Sequence, residues 1–585
     1  MKQFLKITLA SSIGLLIGVF SLILIVSVLA SSGESKKITL DEEHILHLKL
    51  HGNIQDRVQE SPFEIEGLMG EEASNIGLNT ILSNIKKAKT DENIKGIYLD
   101  LGFLNAGFAT LEEIRNVLLD FKESGKFIVS YSEIYTQRAY YLASVADDIC
   151  IYSEGVLELK GLNSTAVFFT NALKKIGVEP QIIRHGKFKS AVEPFMLTEM
   201  SEANREQVKT FVNSIWEQFL KNVATERNLT IEQVNKMANN LEVKTALDAY
   251  DLGLVNHLFY KDELQNYFAT LMGNEDEDEV KFLSLKKYNR VQNENIGEKL
   301  KKDKIAVIYA QGEILSGQGN ETTIGSEQIS KTIRKARKDN KVKAIVLRVN
   351  SPGGSALASD VIWREMKLAQ EEKPVVVSMG DVAASGGYYI SCAANKIYAS
   401  PNSITGSIGV FGILMSFEEL LTDKLGLTFD QVKTNRYADI GNPNRPLTSD
   451  EYDIIHESVV RIYDDFISKV AEGRNMNKTE VDNIGQGRVW TGSNAMNINL
   501  IDEYGGLDDA ILGASKLANM TDYRIYEMPK QKNPFQILLT QLEEEVKISW
   551  VKSQLGDQYK YYKTLENLKD LNGVQARMPY QFVID

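Results

Sequence analysis

Short β-branched, apolar runs recur along this chain, each followed by a stretch whose apolar positions return every three or four residues. KIAVIYA (304–310), KAIVLRV (343–349), PVVVSM (374–379) and KIYAS (396–400) have the composition of buried strands. SEQISKTIRKARKDN (326–340) and LASDVIWREMKLAQEE (357–372) between them have the spacing of amphipathic helices. Strand, helix, strand in repetition predicts an α/β fold with largely parallel pairing. Two segments depart from the pattern. Ile7 to Gly33 holds no charged residue, and its run LLIGVFSLILIVSVLA is almost wholly aliphatic. The tail from 529 to 585 is polar, aromatic and helix-prone, with apolar spacing suited to packing against the body or a partner chain.

The pattern occurs twice. DENIKGIYLDL (91–101) aligns with DNKVKAIVLRV (339–349), an offset of 248 positions from Asp91 to Asp339. The same offset lays VSYSEIYTQRAYYLASVADDI (129–149) on VSMGDVAASGGYYISCAANKI (377–397). KIGVEPQIIRHGKFKSA (175–191) then matches KLGLTFDQVKTNRYADI (424–440), with one extra residue in the second copy. We therefore expect a segment 1–33, a first repeat over 40–272, a linker over 273–303 where opposite charge blocks replace apolar periodicity, a second repeat over 304–528, and a helical tail over 529–585.

An apolar run of this length spans a bilayer, whose hydrocarbon core about 20 residues cross. Lys2 and Lys6 precede it and Glu34 follows, which keeps the short N-terminus in the cytoplasm and exports the rest. A cleaved signal peptide, with Val28-Leu29-Ala30 as its site, is the alternative, although the run exceeds the usual length of such a segment. The full 585 residues are 43% apolar and 25% charged, the composition of a chain most of which folds in water. Sixty-six basic against 79 acidic residues leave a net charge of −13, which argues against a nucleic-acid partner. Two cysteines, Cys150 and Cys392, make no disulfide framework, and the six scattered histidines have no metal-ligand spacing, so neither metal nor cofactor is expected.

Asn350-Ser-Pro-Gly-Gly-Ser355 follows a strand and opens a helix, placing backbone N–H groups where an anion or an oxyanion could bind. The first copy has Gly102-Phe-Leu-Asn-Ala-Gly107 there and has lost the glycine pair. Ser385, in Asp381-Val-Ala-Ala-Ser385-Gly-Gly-Tyr388-Tyr, also follows a strand; its hydroxyl and the Gly386 N–H can face one spot, or it can serve as a plain helix N-cap. Its counterpart in the first copy is Gln137. No G-x-S-x-G pattern surrounds Ser385, and the other known activator of serine is a neutral lysine. The duplication singles out Lys189, whose counterpart is Ala438: Gln137 to Lys189 spans 52 positions and Ser385 to Ala438 spans 53. Each copy keeps half of a pair, so a working site requires Lys189 to reach Ser385 across a domain or subunit interface. To act as a base Lys189 must titrate far below a lysine's ordinary value, in an apolar site away from the carboxylates of Glu193 and Asp381.

Lys-Ser-Ala-Val-Glu-Pro-Phe (189–195), Ser-Pro-Gly-Gly, Ala-Ser-Gly-Gly-Tyr-Tyr and Thr-Gly-Ser-Ile-Gly-Val-Phe-Gly occur in the order and spacing of one family. From the anchor to about residue 528 the chain resembles the long, tandem-domain form of the signal peptide peptidase A (protease IV) family. The resemblance implies two tandem ClpP/crotonase-like domains of repeated β-β-α superhelical units behind a transmembrane helix. It implies a bowl-shaped homotetramer held in the bacterial inner (cytoplasmic) membrane by a single pass, its catalytic body periplasmic. It implies a Ser-Lys dyad that degrades apolar signal peptides left in the membrane after preprotein processing. Carried over by motif, Ser385 is the nucleophile, Lys189 the proton donor and acceptor, Gly386 and Gly354 the oxyanion donors, and Ser407 a hydroxyl that orients the lysine. The tail has no counterpart in the resemblance. Crotonase-type acyl-CoA chemistry and a non-catalytic membrane scaffold are the alternatives.

Overall fold

The computed structural model describes residues 13–14, 17–18, 40–58, 75–276, 279–291, 301–320, 322–530 and 573–578. The expected anchor therefore lies outside the described residues apart from two helical fragments; among the described residues no helix is long and apolar enough to cross a membrane.

In the first repeat His44–Gln55 (β1), Ile94–Asn105 (β2), Phe127–Tyr135 (β3) and Asp148–Leu157 (β4) stand side by side in that order, all parallel. Phe108–Lys122 (α1) crosses from β2 to β3 and Gln137–Ala143 (α2) from β3 to β4. Such strands carry apolar side chains on both faces because helices cover both sides of the sheet. Glu179–Arg184 (β5) leaves this sheet, and the 26-residue helix Glu202–Arg227 (α3) follows. Part of the stretch expected to link the repeats folds onto the first: Phe282–Ser284 pairs with β1, and Tyr288 is fully buried in the same core.

The second repeat has the same plan. Lys304–Gln311 (β6), Val342–Ser351 (β7), Val375–Ala384 (here β9, since the short Gly353–Ser355 is β8) and Ile404–Gly406 (β10) are parallel neighbours. Ala356–Glu372 (α4) precedes β9 and Gly386–Ser391 (α5) follows it; the later helix Ser449–Arg474 (α6) has 26 residues, like α3. The repeat register holds at the level of single atoms: Tyr140 Oη donates to the Leu254 carbonyl at 2.7 Å and Tyr388 Oη to the Leu500 carbonyl at 2.9 Å.

A third sheet joins the halves. Phe411–Ser416 (β11) pairs antiparallel with β5 of the first repeat, from Phe411 opposite Arg184 to Ser416 opposite Glu179. On its other edge β11 pairs with Gly573–Arg577 (β12), which in turn pairs antiparallel with β8. The expectation of a helical tail is corrected here: residues 573–577 form a strand, because two open strand edges satisfy its backbone groups, whereas residues 531–572 lie outside the described ones. Cys150 and Cys392 are buried free thiols.

Side chains lock the halves together as well. Arg348 on β7 is 1% exposed, and its guanidinium donates to Asp56 at 2.8 Å and Glu113 at 2.6 Å, both buried residues of the first repeat. Asp381 caps α1 across the interface, accepting from the Thr110 N–H at 2.8 Å and the Thr110 hydroxyl at 2.7 Å. Removing one member of a buried ionic group strands the others without solvent. Arg348→Ala is expected to cost about 3–5 kcal/mol of stability; a thermal midpoint unchanged from the parent protein contradicts that role.

Candidate active site

Ser385 stands at the carboxyl end of β9, where the parallel strand stops and α5 begins. Its backbone takes φ 56° and ψ −112°, a conformation that costs a residue with a Cβ on the order of 1–3 kcal/mol and persists only where its surroundings impose it. Here the Ser385 N–H donates to the Gly406 carbonyl at 2.8 Å, and small residues (Ala384, Gly386, Gly387) pack tightly around the turn.

Lys189 arrives from the other repeat. Once β5 is bound to β11 the chain is committed to the second repeat, and five residues after Arg184 it delivers Lys189. The Phe188 N–H donates to the Gln486 carbonyl at 2.9 Å. Gly487 has φ +84°, and a Cβ there would sit 2.6 Å from the Lys189 Cα, so a residue with a side chain does not fit beneath the lysine. Gln207 on α3 closes the arrangement: its Nε2 donates to the Phe188 carbonyl at 3.1 Å and Ser190 Oγ at 2.8 Å, while its Oε1 accepts from the Val489 N–H at 3.2 Å. One side chain thus ties the lysine turn to the second repeat.

The two halves meet within a single chain. Lys189 Nζ lies 2.8 Å from Ser385 Oγ, 3.1 Å from Ser407 Oγ and 3.2 Å from the Ser407 carbonyl. Ser407 holds φ 49°, its N–H donating to the Arg488 carbonyl at 2.7 Å. Lys189 and Ser385 are both fully buried, and the Phe411 ring lies 5.9 Å from Nζ. Every polar partner of the amine is neutral, and burial pushes Lys189 well below a lysine's ordinary value. The two carboxylates that might have held it charged are engaged elsewhere. Glu193 accepts from Ser201 Oγ at 2.6 Å and Asn204 Nδ2 at 2.8 Å, and Asp381 caps α1.

Gly354 and Gly386 converge beside this pair. A Cβ built on Gly353, which has φ +97°, would lie 2.7 Å from the Gly386 nitrogen and collide with the carbonyl oxygen of Ala576 on β12. One on Gly386 would lie 3.0 Å from that same oxygen. The Met578 N–H donates to the Pro352 carbonyl at 2.7 Å, so the alternation of an antiparallel ladder makes Gly354 and Ala576 the next hydrogen-bonded pair. The Gly354 N–H therefore faces the Ala576 carbonyl, and the Gly386 nitrogen lies close to the same oxygen. Such a site can take a proton from a hydroxyl, hold an acyl group and stabilise negative charge on its oxygen, with no metal-binding group of His, Cys, Asp or Glu among the described residues.

The matching place in the first repeat is filled. Gln137 Oε1 accepts from the Lys160 and Gly161 N–H groups, both at 2.8 Å, and its Nε2 donates to the Gly161 carbonyl at 2.8 Å. Ala438, opposite Lys189 in the alignment, is exposed on an arm of the second repeat. Of the residues that sequence reasoning singled out, the fold brings Ser385, Lys189 and Ser407 within hydrogen-bond reach of one another and sets Gly354 and Gly386 nearby; the same reasoning did not reach Gln207 and Gly487. Both act through close contacts between segments far apart in the chain, Gln207 with Val489 and Gly487 with Lys189, which no local pattern records.

The peptidase family S49 model matches the chain twice, at residues 120–274 and 367–521, and the Clp protease model matches residues 296–405. Protease 4 of Haemophilus influenzae is 35% identical, with 86% of this chain and 83% of that protein aligned. The chloroplastic serine protease SPPA of Arabidopsis thaliana is 34% identical over 91% of this chain and 77% of its own. Among solved structures, ClpP1 from Listeria monocytogenes is 17% identical over 35% of this chain and 92% of its own, with a TM-score of 0.23. Two tandem matches to one family and relatives above 30% identity aligned over more than three quarters of each chain place the protein: it belongs to peptidase family S49 and is a serine peptidase.

Proposed function

We propose that the protein is a membrane-anchored endopeptidase that uses Ser385 as nucleophile and Lys189 as general base to degrade signal peptides, each repeat being built on the ClpP/crotonase plan. The observation that carries the reading is the buried amine 2.8 Å from the serine hydroxyl, with no carboxylate to keep it charged. Neutral Lys189 takes the Ser385 proton as Oγ attacks the scissile carbonyl. The N–H groups of Gly354 and Gly386 hold the oxyanion, and Lys189 returns the proton to the departing amine. Water then hydrolyses the acyl-enzyme by the same route. Ser407 positions the amine through its hydroxyl and carbonyl.

Signal-peptide cores are aliphatic, and the facing edges of β8 and β11, which β12 pairs with here, suit an extended apolar peptide bound by strand addition in its place. The aliphatic run before residue 33 is the proposed single-pass anchor in the bacterial inner membrane, with the body on the periplasmic side. A homotetramer is supported by the exposed arm carrying Leu425, Leu427, Phe429 and Val432, the last 99% exposed, which is the kind of apolar patch that subunit contacts cover.

Ser385→Ala and Lys189→Ala should each lower kcat/KM on an apolar peptide ester by at least about 10³-fold with the thermal midpoint retained. Full activity in Lys189→Ala eliminates the dyad. Activity follows the neutral amine, so kcat/KM rises with pH through the folded-state titration of Lys189 and is lost below it. The linked stability effect has a definite sign. The unfolded chain binds the proton more tightly, so stability rises with pH between the folded-state value and lysine's ordinary 10.5. Lys189→Met should therefore raise the thermal midpoint most at low pH, with the gain shrinking as pH rises; a pH-independent difference contradicts a depressed amine. Leu427→Asp with Val432→Asp should convert the tetramer to smaller species in light scattering at unchanged activity per dyad labelled, and an unchanged mass removes the arm from the interface.

A further inference from the structure

One short stretch of the second repeat, residues 486–489, borders every member of the dyad. The Gln486 carbonyl accepts from the Phe188 N–H at 2.9 Å, Gly487 lies under the Lys189 backbone, and the Arg488 carbonyl accepts from the Ser407 N–H at 2.7 Å. Val489 then pairs with Gly406, whose carbonyl accepts from the Ser385 N–H at 2.8 Å. Any slip of this stretch along the lysine turn therefore changes the distance between Nζ and Oγ.

Gln207 on α3 fixes the stretch to the turn, and the direction of its carboxamide is set by other residues. Flipped over, the amide would put its NH2 against the Val489 N–H and its oxygen against the Phe188 carbonyl, and both contacts would be lost. Glu193 starts the chain that prevents this. Its carboxylate only accepts, from Ser201 Oγ at 2.6 Å and from Asn204 Nδ2 at 2.8 Å. With its NH2 committed there, Asn204 turns Oδ1 toward Gln207 Nε2, which donates to it at 3.1 Å. Gln207 must then face Nε2 to the lysine turn and Oε1 to Val489. Donors and acceptors run one way from Glu193 to the backbone of residue 489. Glu193, Asn204 and Gln207 are fully buried, so water does not replace a missing member. Apolar side chains would pack α3 against the second repeat without polar groups to desolvate; a directed chain matters only where orientation does.

We infer that Glu193, Asn204 and Gln207 are positioning residues: they lock residues 486–489 to the lysine turn and through them set Lys189 Nζ against Ser385 Oγ. This rests on the Ser385 and Lys189 assignment. Glu193, an acid that would spoil the base by direct contact, serves it through two amides.

Gln207→Met keeps the length of the side chain and removes its hydrogen bonds. Assayed on an apolar peptide ester well below its thermal midpoint, it should lower kcat about 10²-fold, the scale of a displacement near 1 Å, with KM unchanged. Labelling of Ser385 by a fluorophosphonate should slow in parallel. A loosened lysine turn admits water to the amine, so Lys189 titrates closer to its ordinary 10.5 and the acid limb of the kcat/KM profile moves to higher pH. Glu193→Met should reproduce this profile, and Glu193→Gln, which keeps an acceptor for Asn204, should recover most of the lost activity. Gln207→Asn, too short to reach both segments, makes the same prediction where Gln207→Met does not fold. A folded Gln207 variant with a lowered thermal midpoint but parental kcat and acid limb overturns the proposal, because the contact is then structural only. A Glu193→Gln protein as impaired as Glu193→Met overturns the directed chain. Full activity in Lys189→Ala, or a parent profile without an acid limb, instead removes the dyad assignment beneath it.

Discussion

An amine without a counter-ion, buried 2.8 Å from a serine hydroxyl, is the constraint around which the rest of this structure is organised. Lysine is among the residues most rarely buried alone, because losing water is costly for the ammonium and losing the proton is costly near neutral pH. Strained backbone adds to that cost: Ser385 and Ser407, both with positive φ, present their polar groups to the same nitrogen. Several contacts outside the dyad keep this geometry. The six-residue pairing of β5 with β11, the bridge made by Gln207 and the absence of a side chain at Gly487 each hold the lysine turn against the second repeat. None of the three touches the reacting atoms.

The two repeats have the same strands and helices and unequal duties. In the first, Gln137 spends its carboxamide on the backbone of residues 160 and 161, which seals the cleft that Ser385 keeps in the second. In the second, the segment matching the lysine turn is an exposed arm. The interface that brings the retained halves together includes buried polar contacts, with Arg348 held by Asp56 and Glu113, and with Asp381 used as a helix cap. Buried ionic contacts of this type add little net stability, but they penalise every other alignment of the two halves, since any shift leaves a charge unpaired. Alignment is what a site divided between repeats requires.

The groove also resolves a problem that an open strand-binding site creates. Two unpaired edges facing each other are a template for aggregation, and β12 satisfies their backbone groups from within the chain. The same hydrogen bonds are available to any extended peptide, because they come from the main chain.

The α/β class, the duplication and the candidacy of Ser385 and Lys189 were all legible from the chain, for a local reason: buried parallel strands, glycine turns and a repeat offset are properties of neighbouring residues. With Gln137 standing where the other copy has Ser385 and Ala438 where it has Lys189, a pair could form only across a boundary. Gln207, Gly487 and the polar interface were not legible, because each acquires its role from a segment hundreds of positions away. The tail shows the limit most sharply. Its composition favours a helix, yet residues 573–577 are a strand, since backbone pairing with β8 and β11 outweighs intrinsic preference where two edges stand open. Sequence by itself determined which chemical groups the protein possesses and that they are divided between two copies; the tertiary structure alone decided that both halves come from one chain and that residues 573–577 pair into the groove beside them, because these depend on distances between segments that no local interaction sets.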